Sequence, residues 1–326
     1  MTKWIVAALT WLAAPAAACD LNRPIVFAGL DWDSAAFHNA VAQFVLEQGY
    51  GCKTEVVPGV TIPLLQGVAQ GDIDIAMEVW RDAVTEVWQR ALKRGQAVEV
   101  GVNFPDAVQG WYVPRYVVEG PASDLKSVAD LKRYKALFAD PEEPAKGRFY
   151  NCVAGWSCEN INTNKLRAYG LDGDFTNVRP GSGAALAAAI NGAALRKEPV
   201  VFYYWSPTWL LGAHDFVQLE EPPWNDADWT GLAADPAYPR AVAYPKVEVA
   251  IGVNAEFAKR APGIVAVLKN YRTSAALVAE ALAFMHTTGV DETAAAHRFL
   301  KDHRDVWTPW VDPAAAAKIA AALAKP

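Results

Sequence analysis

The chain has 326 residues, a formal net charge of −6 and four cysteines. Its length exceeds what one hydrophobic core usually serves, so two domains are expected. The acidic balance and the lack of a basic cluster argue against a nucleic-acid partner. Thirteen tryptophans are unusually many, and several stand in loops beside Gly, Pro, Asp and Ser rather than in the periodic runs typical of core aromatics.

The N-terminal segment, residues 1–18, has the pattern of a secretory signal peptide. Lys3 precedes an apolar run that ends at Pro15, and three alanines follow before Cys19. The segment is too short to span a bilayer and no later segment reaches ~20 apolar residues, so we expect an exported, periplasmic protein. Cys19 is either lipidated, as in bacterial lipoproteins, or free to pair with Cys52.

Strands and helices alternate in the first third of the chain. In order, the pattern predicts a strand at 25–28, a helix at 35–50 with Asp33 or Ser34 as N-cap, a strand at 52–59, a helix at 61–72 and a strand at 73–80. Such alternation gives right-handed βαβ units and a parallel sheet. Ligands bind beyond the carboxyl ends of strands in these sheets, which is where Trp32 and Trp80 fall.

The pattern restarts after residues 110–118. It predicts helices at 127–138, 160–171 and 181–198, a strand at 199–205, a Pro- and Trp-rich loop, a strand at 247–254 and helices to the C-terminus. The simplest arrangement that fits this order is an α/β protein of two lobes, with the chain passing twice from one lobe to the other. Lobe I then comprises residues 19–112 and 247–326, and lobe II comprises residues 113–246. A ligand cleft between the lobes follows.

Two cysteines, Cys152 and Cys158, frame a short ring around Trp156. A disulfide across so small a loop restricts the unfolded chain by only roughly 2 kcal/mol. The bond would also hold the indole in one pose before anything binds, which favours recognition. The backbone N–H groups of Ser157 and Cys158 lie at the start of the next helix, where unpaired amides favour an anion. The alternative is a disulfide that only staples the helix start.

Four tryptophans are expected at the cleft because each lies at a strand end or in a loop beside one: Trp32, Trp80, Trp156 and Trp205. Indole faces around a space attract a quaternary ammonium at ~0.5 to 2 kcal/mol per face. Micromolar affinity needs about 8 kcal/mol, so a ligand carboxylate on the helix-start amides is expected to add to the box. The alternative is that the tryptophans pack the surface between the domains.

Acidic residues accompany two of these tryptophans. Glu78 lies two positions before Trp80 and so on the same strand face. It is either a solvated strand-end acid or a charge that attracts a ligand cation and repels a ligand carboxylate. Asp31 and Asp33, which flank Trp32, are expected to serve as turn and cap residues.

Catalytic motifs are missing from the sequence. It contains no G-x-S-x-G, H-E-x-x-H or P-loop, and no G-x-G-x-x-G after a strand. No cofactor or metal site is predicted, and the protein is expected not to be an enzyme. The rival hypothesis is an exported hydrolase of choline esters, but no nucleophile partnered with a histidine is apparent.

Three segments, "GDIDIAMEVW", "CVAGWSCEN" and "VVFYYWSPTW", resemble in this order and spacing the substrate-binding proteins of ABC transporters for glycine betaine, proline betaine, choline and related osmolytes. The similarity covers essentially the whole mature chain. It implies the two-lobed type II periplasmic-binding-protein fold, closure on the ligand and delivery to a membrane permease, and we expect a monomer. Carried over by motif, Trp80, Trp156 and Trp205 form the aromatic box, and the amides of Ser157 and Cys158 take the carboxylate.

Two further positions bear on the ligand that this resemblance implies. Trp32, in "GLDWDS", looks like the extra tryptophan of relatives that bind trimethylamine N-oxide. Some betaine binders have a histidine four residues after the tryptophan matching Trp80, and here that position is Val84. Because Glu78 is also present, the ligand can equally be choline, carnitine, trimethylamine N-oxide or another methylated amine instead of betaine.

Overall fold

The computed structural model describes residues 19–81 and 86–325. The predicted signal peptide and Val84 lie outside the described residues. Within these ranges, no helix combines the length and the apolar character needed to cross a membrane.

The strands are β1 Ile25–Leu30, β2 Thr54–Gly59, β3 Ile75–Trp80, β4 Ala97–Pro114, β5 Gly147–Tyr150, β6 Phe175–Val178, β7 Val201–Ser206, β8 Phe216–Gln218 and β9 Val247–Asn254. The helices are α1 Asp33–Tyr50, α2 Thr61–Gln70, α3 Glu86–Lys93, α4 Arg115–Val118, α5 Ser157–Ala168, α6 Gly183–Leu195, α7 Trp209–Ala213, α8 Asp226–Ala234, α9 Ala255–Arg260, α10 Pro262–Asn270, α11 Ala275–Thr288, α12 Glu292–Asp302, α13 Arg304–Trp307 and α14 Pro313–Leu323. Short 3-10 helices span Val128–Tyr134 and Thr308–Trp310.

The described strands form one mixed sheet in the order β2-β1-β3-β9-β4-β7-β5-β6, with β8 also paired to β4. β1 is parallel to β2 and β3, as the predicted βαβ units require, and β9 returns antiparallel between β3 and β4. The long strand β4 pairs with β9 as far as Ala107 and with β7 from Val108 onward. The α/β fold is therefore two-lobed: β1–β3 and β9 form the sheet of the first lobe, and β5–β8 that of the second.

The buried side chains form separate clusters on either side of this division. In the first lobe, α1 and the C-terminal helices pack on one sheet face around Phe37 and Ile251, and α2 and α3 pack on the other around Trp88. In the second lobe, Trp111 and Phe202 belong to a core of their own. Trp32 and Trp80 each pack against first-lobe and second-lobe clusters. These two tryptophans therefore lie where the lobes meet.

Local structure differs from the sequence prediction at several places. Helix α1 begins at Asp33 with Trp32 as its N-cap and no side-chain cap, so neither Asp33 nor Ser34 is the cap. The helix predicted at 127–138 is only the 3-10 helix Val128–Tyr134, whose buried residues lie three apart and so match three residues per turn. The pattern missed β4, β5, β6 and β8, because β4 lacks clean alternation and the other three are only three or four residues long. Helix α8 lies within the segment predicted as a Pro- and Trp-rich loop.

Both predicted disulfides are formed. Cys19–Cys52 ties the segment before β1 to the segment before β2. Cys152–Cys158 closes the ring between the end of β5 and the first turn of α5. The second bond therefore holds the short loop that carries Trp156.

Candidate functional site

The four tryptophans predicted for the cleft converge between the lobes. Trp32 follows β1, Trp80 ends β3, Trp156 precedes α5 and Trp205 lies in β7. The ring centroid of Trp156 lies 5.2 Å from that of Trp32 and 5.2 Å from that of Trp205, with interplanar angles of 77° and 81°. Edge-to-face contact is a favourable arrangement for indoles, and Trp156 makes it with both Trp32 and Trp205.

All four tryptophans line a single cavity. The empty space is about 520 Å³, including the part open to solvent. The other lining residues are Thr61, Leu65, Glu78, Val79, Gln109, Ser157, Cys158 and Tyr203. The predicted site residues are thus brought together, and the structure adds Thr61, Leu65, Val79, Gln109 and Tyr203.

Glu78 is the carboxylate of this cavity, and it is only 2 % exposed. Its Oε2 accepts hydrogen bonds from Nε1 of Trp32 at 2.8 Å and from Nε1 of Trp80 at 3.0 Å. Burial raises the pKa of the Glu78 carboxyl, more than these indoles and the Ser34 hydroxyl lower it. The alternative of a solvated strand-end acid is therefore wrong. A single carboxylate oxygen, Oε2 of Glu78, orients the indoles of both Trp32 and Trp80.

Two buried residues that the sequence did not indicate, His38 and Tyr271, lie near Glu78. His38 Nε2 is 4.0 Å from Glu78 Oε1, and His38 Nδ1 is 2.7 Å from the hydroxyl of Tyr271. Burial lowers the pKa of His38 to about 3, so its imidazole is neutral at physiological pH. His38 sits in an ordinary helical pattern and Tyr271 is 233 positions away, so only the fold brings them together.

Trp156 is anchored across the cleft by the first lobe. Its Nε1 donates a hydrogen bond to Asp31 Oδ1 at 2.5 Å, so Asp31 is an indole acceptor as well as a turn residue. The backbone N–H of Ile62 also donates to the carbonyl of Gly155 at 3.4 Å. Gly155 has φ +92°, and a Cβ there would approach Val60 to 2.8 Å, so this close approach requires glycine.

The start of α5 borders the same cavity, as predicted. The helix begins at Ser157 with no side-chain cap. Neither the N–H of Ser157 nor that of Cys158 donates a hydrogen bond to another described residue. Two unpaired amides and the positive end of the helix dipole therefore lie beside the box, in an arrangement that accepts an anion or a neutral oxygen.

This two-lobed fold, with an aromatic cavity between its lobes, is that of a ligand-binding transport protein. The model of the substrate-binding domain of ABC-type glycine betaine transport systems (OpuAC) matches residues 23–302. The chain belongs to this family, as the sequence resemblance predicted, and is a substrate-binding protein of an ABC transporter.

Among curated proteins, the chain is similar to the trimethylamine N-oxide-binding protein of Pelagibacter ubique. The two are 25% identical over 297 residues, which is 90% of this chain and 92% of that protein.

Two solved structures show the same fold. An ABC-transporter choline-binding protein in complex with choline superimposes with a TM-score of 0.76 at 19% identity, covering 94% of this chain and 98% of the other. Lactococcal OpuAC complexed with glycine betaine gives 0.71 at 19% identity, covering 89% and 100%.

Proposed function

We propose that the protein captures a small methylated-ammonium compound in the box of Trp32, Trp80, Trp156 and Trp205 and delivers it to an ABC importer. The observation that carries this proposal is the joint use of Glu78 by two box indoles. The carboxylate sets the Trp32 and Trp80 rings and also supplies negative charge beside them. A quaternary ammonium offers no N–H to donate, and ring quadrupoles with a nearby carboxylate are the groups that attract it.

The other end of the ligand is assigned to the start of α5. The free amides of Ser157 and Cys158 can donate hydrogen bonds to the carboxylate of glycine betaine or proline betaine, and also, more weakly, to the hydroxyl oxygen of choline. The names of the relatives support this range, because they include binders of trimethylamine N-oxide, choline and glycine betaine. Trimethylamine N-oxide and carnitine are the alternatives within the same transporter type.

Capture is proposed to proceed by closure of two lobes, residues 19–112 with 247–326 and residues 113–246. Trp32 and Trp80 belong to the first and Trp156 and Trp205 to the second, so the box is complete only when they meet. A ligand that contacts both lobes favours the closed state by its differential affinity. We propose that the protein works in the periplasm as a monomer, after removal of residues 1–18, and hands its ligand to a permease without catalysing a reaction.

Isothermal titration of the mature, ligand-stripped protein tests this function. Glycine betaine, choline, carnitine and trimethylamine N-oxide are titrated separately, and at least one is expected to bind with micromolar affinity or better. Failure of all four to bind would remove the ligand class. A turnover assay on choline esters runs in parallel, because hydrolysis would instead favour the rival hydrolase.

A further inference from the structure

Two buried polar atoms beneath the box are left without hydrogen-bond partners. Glu78 Oε1 and His38 Nε2 bond to no other described residue, although both side chains are fully buried. They point toward each other across 4.0 Å. A shortening of about 1 Å would bring them to hydrogen-bond distance.

The surroundings of Glu78 provide no fixed countercharge. Its Oε2 faces the indole N–H groups of Trp32 and Trp80, and the Ser34 hydroxyl is the other polar neighbour. The titratable groups on its remaining side are His38, from α1, and behind it Tyr271. The ion pairs of the described residues include no lysine or arginine on Glu78. Burial disfavours the anion of this carboxyl, and a cation brought beside it would favour the anion.

The hydrogen bonds of His38 allow it to accept a proton donor. With the proton on Nδ1, His38 donates to the Tyr271 hydroxyl at 2.7 Å and presents the Nε2 lone pair to Glu78. Protonated Glu78 can therefore donate from Oε1 to His38 Nε2 while its Oε2 keeps both indole bonds. This bond forms once the distance between Oε1 and Nε2, now 4.0 Å, has shortened by about 1 Å.

We propose that Glu78 senses the charge of the ligand: it holds a proton on Oε1, directed toward His38, and releases it when a permanent organic cation enters the box. In this step the cation and the protonated protein give a complex with ionised Glu78 and one proton in solution. The inference rests on the proposed function and deepens it. It assigns the preferred substrate class as permanent organic cations, with any ligand carboxylate kept apart at the start of α5.

The sign of the pH dependence follows from this exchange. Neutral Glu78 contributes no charge, so affinity for a cation rises with pH until Glu78 is ionised in the free protein and is constant above that pH. One proton limits the change to about tenfold per pH unit. Glycine betaine carries its own carboxylate, which opposes ionisation of Glu78, so its affinity depends less on pH than that of choline.

Calorimetric titration with choline and with glycine betaine tests the proposal over about pH 5 to 9, the span in which buried glutamates titrate. Each titration is repeated in two buffers of different ionisation enthalpy, so that proton release appears as a buffer-dependent heat. The unmodified protein is expected to release up to one proton with choline and less with glycine betaine. Its choline affinity should rise with pH within the tenfold-per-unit limit.

Two variants sharpen the test. Glu78→Gln keeps an oxygen for the indole N–H groups but has no proton to lose, so its choline binding should be weaker by about tenfold or more at high pH and independent of pH and buffer. Asp72→Asn removes one negative charge from an exposed position outside the cavity. It should keep the profile of the unmodified protein.

The outcomes separate the two proposals. If choline binds with pH-independent affinity and equal heats in both buffers, the proposed proton release by Glu78 is overturned but the proposed function stands. This outcome does not depend on whether Glu78→Gln folds. Proton release that persists in Glu78→Gln also overturns it, because another group must then be the source. If the unmodified protein binds no methylated ammonium at all, the proposed function fails and this inference fails with it.

Discussion

Trp156 joins the two lobes through a single side chain. It donates to Asp31 of the first lobe, packs edge-to-face with Trp32 and Trp205, and is held by the Cys152–Cys158 ring. Among the box residues it therefore combines a ring that lines the cavity with a hydrogen bond between the lobes.

Replacing Trp156 by alanine is expected to weaken ligand binding by about 1 to 3 kcal/mol, because one cation–π face and its aromatic contacts are lost. Titration calorimetry measures the loss, and circular dichroism checks that the fold is intact. The matched control is Trp224→Ala, since Trp224 is 46 % exposed and does not line the box cavity. An unchanged affinity in Trp156→Ala would contradict the aromatic box.

His38 makes stability depend on pH. Burial holds its pKa near 3 in the folded protein, against about 6.5 in an unfolded chain. The folded state therefore resists protonation, so the stabilisation is complete above about pH 6.5 and is lost as pH falls toward 3, at up to about 1.4 kcal/mol per pH unit. Denaturant unfolding of the parent and of His38→Gln should show a steeper loss of stability with falling pH in the parent. Equal slopes would place the acid sensitivity elsewhere.

At the scale of elements, the ring and the helix it precedes form one unit. Cys158 lies in the first turn of α5, and Cys152 follows β5, so the bond sets the helix start relative to the sheet. The free amides of Ser157 and Cys158 and the indole of Trp156 are thereby placed together. We expect this disulfide to matter more for binding than for stability.

The two disulfides provide a matched comparison. Removing the ring with Cys152→Ala and Cys158→Ala should weaken binding by about tenfold or more through lost pre-organisation, and should cost about 2 kcal/mol of stability for a separation of six residues. Removing the Cys19–Cys52 bond, which spans 33 residues, should cost about 4 kcal/mol and leave the affinity unchanged. Equal affinity of both variants with the parent would mean that the ring only staples α5.

Much of this arrangement was predictable from local patterns. Strand ends marked by Trp32, Trp80 and Trp205, and a ring marked by two cysteines, are features of short segments that a sequence displays directly. The partners that give those residues their geometry are not local. The local sequence predicts only a turn residue at Asp31, whereas its hydrogen bond with Trp156 joins residues 125 positions apart. Strand β4 was not predicted either. Its two ends pair with strands of different lobes, so its residues do not follow one pattern of alternating buried and exposed side chains.

At the scale of the whole molecule, the lobes also meet outside the box. Trp209, at the start of α7 in the second lobe, stacks on His286 of α11 in the first, with ring centroids 3.6 Å apart and planes 9° apart. Neither ring lines the cavity of the box. This stack joins the lobes without lining the cavity, so in the proposed closure it would favour the closed form.

Trp209→Ala is therefore expected to lower ligand affinity by about three- to tenfold, because a smaller closed fraction reduces the apparent affinity in proportion. Calorimetry gives the affinity, and small-angle scattering with and without saturating ligand gives the change in shape. Trp224→Ala again serves as the control. An unaltered affinity together with unaltered scattering would show that the stack does not bias closure.

The edge-to-face contacts of Trp156 with Trp32 and Trp205, at centroid separations of 5.2 Å, have an optical consequence. Indole transitions this close in space mix, and the mixing gives near-ultraviolet circular dichroism whose sign depends on the mutual tilt of the rings. In the proposed closure mechanism, opening of the lobes would separate Trp156 from Trp32 but leave it beside Trp205, so one coupling would disappear while the other persisted. The near-ultraviolet circular dichroism of these indoles would therefore report the proposed closure without an attached dye.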